Sequence, residues 1–381
     1  MLAEAGVFLL PLAWLPNLAH PFSTPKTILL AVLALAAAWA ALRHAAPPAP
    51  WREAWPWLAW LAATALSATT AAFVSLDALL LAALPLPLGW AAQRGILPAS
   101  RFRRAALWGS AVESAIACMQ YARLDPLRSI GWRPEVFPSP RMRVYGTLGN
   151  PDFVAAWLCA TLPLYWDAFA SGRRRALLWA GLALQVAGIL ATGSRVVLLA
   201  ALAAVCVLWL MERRFAKAWL LALPLALVAL WLSGARPLRL TIEGRWNLER
   251  VALLHWREIP PFGCGPGSFE VRFADWQVGW LRDHAGDPNG AALAGPVDHA
   301  HNDFLELYVE YGPVGLGAFL AAGVGLALAG WRRAGASRPP PGAWAGATAL
   351  LAVACVDFPL HRPAEWAVYW LLLVVTEDYR S

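Results

Sequence analysis

What most constrains this chain is a succession of apolar runs, each near the length of a bilayer crossing. A helix needs about 20 apolar residues to cross the hydrocarbon core. Runs of that kind fall at 3–19, 27–42, 56–74, 76–92, 105–121, 147–169, 176–191, 194–211, 217–234, 304–330, 343–357 and 363–376. Backbone in lipid must satisfy its own hydrogen bonds, which a helix does alone. The expected fold is therefore all-α: one integral membrane domain over 1–381, a polytopic bundle of about twelve transmembrane helices. Pro11, Pro85, Pro87, Pro163 and Pro224 interrupt some runs and predict kinks. Only 14% of residues are charged, against roughly a quarter in soluble domains. The 23 Trp residues suit a protein with many membrane–water boundaries.

Basic clusters set the orientation. Arg94 with Arg101, Arg103 and Arg104, then Arg173–Arg175, then Arg213, Arg214 and Lys217, then Arg332, Arg333 and Arg338 all fall on one side when the spans are counted. The positive-inside rule makes that side the cytoplasm. The expectation is a multi-pass protein of the inner (cytoplasmic) membrane with both termini cytoplasmic; the first run has no cleavable signal. Because the arginines punctuate apolar runs and form no single soluble face, the net charge of +7 does not indicate nucleic acid.

The opposite side receives 22–26, the loop 122–146, 192–195, the large loop 235–302 and 357–361. Arginine is dense in the two long loops, which the orientation rule does not explain. An anionic substrate at the outer boundary would explain it. The five cysteines have no paired spacing, so no disulfide framework or thiolate metal site is expected.

The sharpest stretch is His299-Ala300-His301-Asn302-Asp303-Phe304-Leu305-Glu306. Asp303 and Glu306 have capping-box spacing, predicting a helix start, and the helix dipole would disfavour imidazolium at His301. His301 can then be a neutral general base; two hydrogen-bonded interfacial histidines, or a metal held by His299, His301 and Asp303, are the alternatives. Arg195, after Thr192-Gly193-Ser194, sits at a bilayer lip, where its fork can meet phosphate oxygens or snorkel to water. Arg245 and Arg250 lie on a predicted helix in the large loop, before the Gly/Pro run 260–267. That run lacks the Gly-Lys-Ser/Thr ending of a nucleotide loop. Asn150-Pro151 marks a helix start, with Arg141 and Arg143 just before it. Asp357 and His361 can pair with each other or orient another histidine.

These stretches, in this order, resemble the O-antigen ligase and polymerase superfamily of bacterial polytopic membrane proteins. The carriers are Phe22-x-x-Pro-Lys26, Gly146-Thr-Leu-Gly-Asn150-Pro, Thr192-Gly-Ser-Arg195, Pro260-x-x-Gly-x-Gly-Pro-Gly-x-Phe269 and His299-x-His-Asn-Asp303. His301-Asn302 is followed by Gly312 and Gly315 at the spacing of the ligase signature; the Thr expected after them is absent.

The resemblance implies a type C glycosyltransferase-like bundle and an undecaprenyl diphosphate-linked glycan donor, with transfer on the periplasmic side. It makes His301, Arg195 and Arg245 the catalytic set, with Arg250, Arg143, Lys26, His299, Asn302 and Asn150 toward substrate. The acceptor it implies is lipid A-core, a growing glycan (a polymerase) or a protein. A diphosphate leaving group needs charge neutralisation more than protonation, so two arginines suffice and no metal or cofactor is expected. The sequence holds no carboxylate pair calling for a covalent sugar intermediate, so a single inverting displacement is expected. A transporter is the rival from another class, carried by Glu113, Gln185, Glu306 and Glu310.

Overall fold

The computed structural model describes residues 2–43, 51–132, 144–170, 175–212, 238–284, 295–334 and 340–375. Among these the chain is helical, with no strand. In order come α1 (Leu2–Leu9), α2 (Thr24–Arg43), α3 (Trp51–Thr70), α4 (Leu76–Ala83), α5 (Pro85–Gln93), α6 (Ala99–Tyr121), α7 (Pro126–Ser129), α8 (Pro151–Thr161), α9 (Leu164–Ala170), α10 (Arg175–Thr192) and α11 (Val196–Glu212). There follow α12 (Leu238–Leu254), α13 (Phe269–Asp283), α14 (Asp303–Ala334), α15 (Pro341–Ala354) and α16 (Pro363–Val374).

Five stretches among the described residues are long and apolar enough to cross a membrane: α2, α4 with α5, α8 with α9, α10 and α14. Shorter apolar helices lie in α11, α15 and α16. This is the pattern of a multi-pass helical membrane protein. Not every expected span is met: 56–74 and 105–121 fall in α3 and α6, which are not among those five. The run 3–19 gives only the eight-residue α1 and then turns, because Pro11 and Pro16 bring no N–H to an extended ladder. The run 217–234 lies outside the described residues. Pro85 divides 76–92, and 147–169 starts at Pro151 and breaks at Pro163.

At the centre stands α16, with all twelve residues buried. A helix apolar on every side has to sit inside the bundle. Its Trp366 stacks on Phe319 of α14 at 5.7 Å and meets Trp60 of α3 edge-on at 5.9 Å. Such aromatic pairs contribute about 0.5–1.5 kcal/mol each beyond burial. They lock three helices around one axis.

A second apolar cluster lies outside this core. Phe269, Phe273, Trp276 and Trp280 of α13 pack with Leu248 and Val251 of α12 and with Leu305 and Val309 of α14. The large loop is thereby seated on the first turns of α14.

The Gly/Pro run completes the seat. Helix α14 is broken at Gly312, whose φ of 69° is open to glycine. Backbone groups freed by the break are taken up by the loop: Cys264 N donates to Val309 O (2.9 Å) and Gly265 N to Glu310 O (2.9 Å). A Cβ on Gly263 would lie 2.2 Å from Glu310 O, so the loop can approach only as glycine.

Candidate functional site

The polar signatures meet at one end of the bundle. Lys26 of α2 donates to Thr147 O (2.6 Å), and Ser194 Oγ lies 2.5 Å from Asp152 Oδ1 on α8. Phe153, the next residue, meets Phe358 edge-on at 5.4 Å. Phe358 in turn stacks on His299 at 4.0 Å and faces His301 at 5.2 Å. A continuous chain of contacts thus runs from the Thr192–Arg195 turn to the two histidines. Arg195 is half-buried beside it.

The local fold around His301 is over-determined. Asn302, not Asp303, caps α14: its Oδ1 accepts from Leu305 N (3.2 Å). Its Nδ2 donates to Glu249 Oε1 of α12 (3.3 Å). Asp303 turns inward, accepting from Leu360 N (2.8 Å) and from His361 Nδ1 (2.5 Å). Glu306 takes Ala300 N (2.9 Å) and His299 Nδ1 (2.7 Å). The capping-box expectation is therefore off by one residue, because Asp303 is drawn to Leu360 and His361 from elsewhere in the chain while Glu306 reaches back to Ala300 and His299. Pinned on both sides, His301 adopts φ 51°, a left-handed conformation costing on the order of 1–3 kcal/mol when held outside glycine.

His301 Nδ1 faces Asp357 Oδ1 at 3.4 Å, while 40% of its side chain stays exposed. Burial favours the neutral acid at Asp357, yet the His301 contact and the charges of Arg362 and Arg245 hold its carboxyl below the usual range. The Asp357 carboxylate facing Nδ1 orients the His301 ring. It also leaves Nε2 as the nitrogen turned to the outside.

Arg245 thus acts within the field of Asp357. On α12 it shares a face with Glu249, one turn away, which meets Asn302. Arg250, five residues on and roughly 140° round the helix, is exposed.

Arg362 carried no signal in the sequence and is the residue missed. It is 7% exposed, its guanidinium lies 3.7 Å over the Phe153 ring, and it reaches Asp357 Oδ2 at 3.9 Å and Glu365 Oε1 at 3.5 Å. Among the described residues none of its three nitrogens has a hydrogen-bond partner. With Glu365 it lines a cavity of about 240 Å³ that reaches Phe22 and Gly149.

Other expected contacts are engaged within the protein. Lys26 is buried, and its ammonium donates to Ala13 O (2.6 Å), Phe22 O (2.9 Å) and Thr147 O (2.6 Å), which accounts for three donors. Asn150 caps α8 through Asp152 N (2.9 Å). His299 and Asn302 have the partners given above. Arg143 lies outside the described residues.

His299, His301 and Asp303 each turn to a different partner, so they form no common ligand set. Among the described residues Glu306, Glu310 and His361 are the group near enough together to hold a cation. There burial opposes charge on His361, but Glu306, the Asp303 bond and Glu310 raise it well above ordinary imidazole. That cluster therefore has its own histidine seated among the acidic side chains. The polar groups that suggested a transporter are similarly occupied: Glu113 Oε1 accepts from Thr147 N (2.9 Å), and Gln185 donates to Leu158 O (2.8 Å).

Residues 180–320, from α10 to the first half of α14, match the family model described as O-antigen ligase. Comparison with curated proteins finds no match. The matched stretch contains Arg195, Arg245, His301 and the Gly312 break. The resemblance read from the motifs holds over that stretch.

Proposed function

We propose that this chain moves a glycan from undecaprenyl diphosphate to an acceptor hydroxyl, in the manner of a lipid A-core O-antigen ligase, at the periplasmic membrane surface. The observation that carries the reading is the His301–Asp357 pair (3.4 Å) with Arg245 acting on the same carboxylate. The acceptor hydroxyl attacks the anomeric carbon while His301 Nε2 takes its proton. The bond from that carbon to the diphosphate oxygen breaks, and the diphosphate leaves with the electron pair. Arg195 and Arg245 neutralise it, so no proton donor is required on that side. Asp357 orients His301 and stabilises the imidazolium that forms, then the proton passes to solvent through the exposed edge. One displacement inverts the sugar, and no metal takes part.

The test is transfer by purified protein from a lipid-diphosphate glycan to lipid A-core. His301→Ala and Arg195→Ala should each lower turnover by about 10²–10⁴-fold, with thermal unfolding little changed. A chelator should leave wild-type turnover intact. Near-normal transfer by both variants removes the mechanism, and loss of activity to the chelator removes the metal-independent form of it.

A further inference from the structure

The far end of the bundle carries a site of another kind. On α6, Arg103, Arg104, Leu107 and Trp108 share one face by their spacing. That face, with Leu177 and Leu178 of α10, lines a groove of about 670 Å³. On the other side of α6 a second groove, of about 420 Å³, runs against Glu4 and Phe8 of α1. Arg104 and Trp108 line both.

Each groove changes character along its length. Arginine stands at the start of α6, and Leu107 and Trp108 follow one turn further in. Trp108 is 49% exposed and Leu177 46%, so the grooves open to the apolar outer surface. Arg101 and Arg175 lie at the same end, and Glu4, held by Arg104, is the counter-charge. A gradient from cationic to apolar, repeated on two sides of one helix, complements an amphiphile with one phosphate and two chains. It does not suit a soluble anion, which has no use for the apolar length. Nor is it the substrate site, since α6 spans about 34 Å and its other end carries Gln120, which accepts from Gly146 N (2.8 Å).

We propose that the paired grooves hold one anionic phospholipid, with its phosphate at Arg103 and Arg104 and its acyl chains on either side of Trp108. Basic pockets between helices select anionic headgroups in this way. The inference is independent of the transferase reading.

The experiment is native mass spectrometry of the full chain from micelles holding equal phosphatidylglycerol and phosphatidylcholine. The wild type should retain one phosphatidylglycerol per chain in clear excess. Removing each arginine should cost about fivefold in that preference, so the Arg103→Gln, Arg104→Gln double variant should show little. Trp108→Ala should lose both lipids without altering their ratio. Arg332→Gln, at a basic position outside the grooves, should behave as wild type and controls for general charge loss. Equal retention of the two lipids by wild type, or an unchanged ratio in the double variant with its thermal unfolding intact, overturns the proposal. Displacement of lipid by millimolar inorganic phosphate overturns it also, because the site would then be one for a free anion.

Discussion

The two ends of this bundle use charge in opposite ways. Around His301 the ionisable groups are buried and held by several partners: Asp357 between His301 and Arg362, Glu306 among His299, Ala300 N and His361. Around Arg104 the ion pair with Glu4 lies open, with Arg104 58% and Glu4 25% exposed. Buried charges must be compensated by geometry, whereas exposed ones are compensated by water. The first end therefore has a shape that can do chemistry. The second presents exposed basic side chains beside apolar grooves.

Arg362 tests that contrast most severely. Arg362→Gln would leave Asp357 and Glu365 buried without their cation, and breaking such a pair costs about 3–5 kcal/mol. Thermal unfolding in detergent should show a loss of that order, and Arg362→Lys should recover part of it, keeping the charge but not the planar fork. A change under about 1 kcal/mol would mean that Arg362 is compensated like a surface residue, and the contrast would fail.

Arg245 and Arg250 divide the contrast within one helix. Arg245→Gln should lower transfer by about 10²-fold or more, while Arg250→Gln, on the exposed face, should change it by no more than about threefold. Equal losses in steady-state assays would show that the field at Asp357 does not distinguish the diphosphate ligand.

These two arginines also show how far the sequence could be read. The membrane architecture was legible because apolar length is a local property, and α2, α10 and α14 fall where their runs lie. The His301-Asn302 stretch was legible because its residues are consecutive and start a helix. Arg362 was not: Asp357 and Glu365 are near it in sequence, but the Phe153 ring under its guanidinium arrives only when α8 packs beside it. The tether of Lys26 was not legible either, because its carbonyl partners at Ala13 and Thr147 are remote in sequence. On α12 the helical period separates Arg245 from Arg250, but only the docking of Glu249 on Asn302 says which face looks inward.

The buried end should also dominate the pH dependence of stability. Asp357 is held below its ordinary 3.8. Its contribution is present above that value and is lost as pH falls through the lower folded value. His361 is raised well above its ordinary 6.5. Its contribution is complete below 6.5 and is lost as pH rises through the higher folded value. Thermal unfolding followed against pH should fall at both extremes. His361→Gln should flatten the alkaline fall and leave the acid one; an unchanged alkaline limb would mean that the imidazolium is not what holds the carboxylates.

The smallest effect belongs to the opposite end. Glu4→Gln breaks the Arg104 contact of 2.5 Å, a bond short enough to appear strong. Both groups reach solvent, however, so water and salt replace most of what is lost, and exposed pairs contribute roughly 0–1 kcal/mol. Chemical or thermal unfolding should barely register the change, and less so at high salt. A loss approaching that of Arg362→Gln would show that short distance, not burial, sets the strength of an ion pair in this bundle, and the difference between its two ends would have to be sought elsewhere.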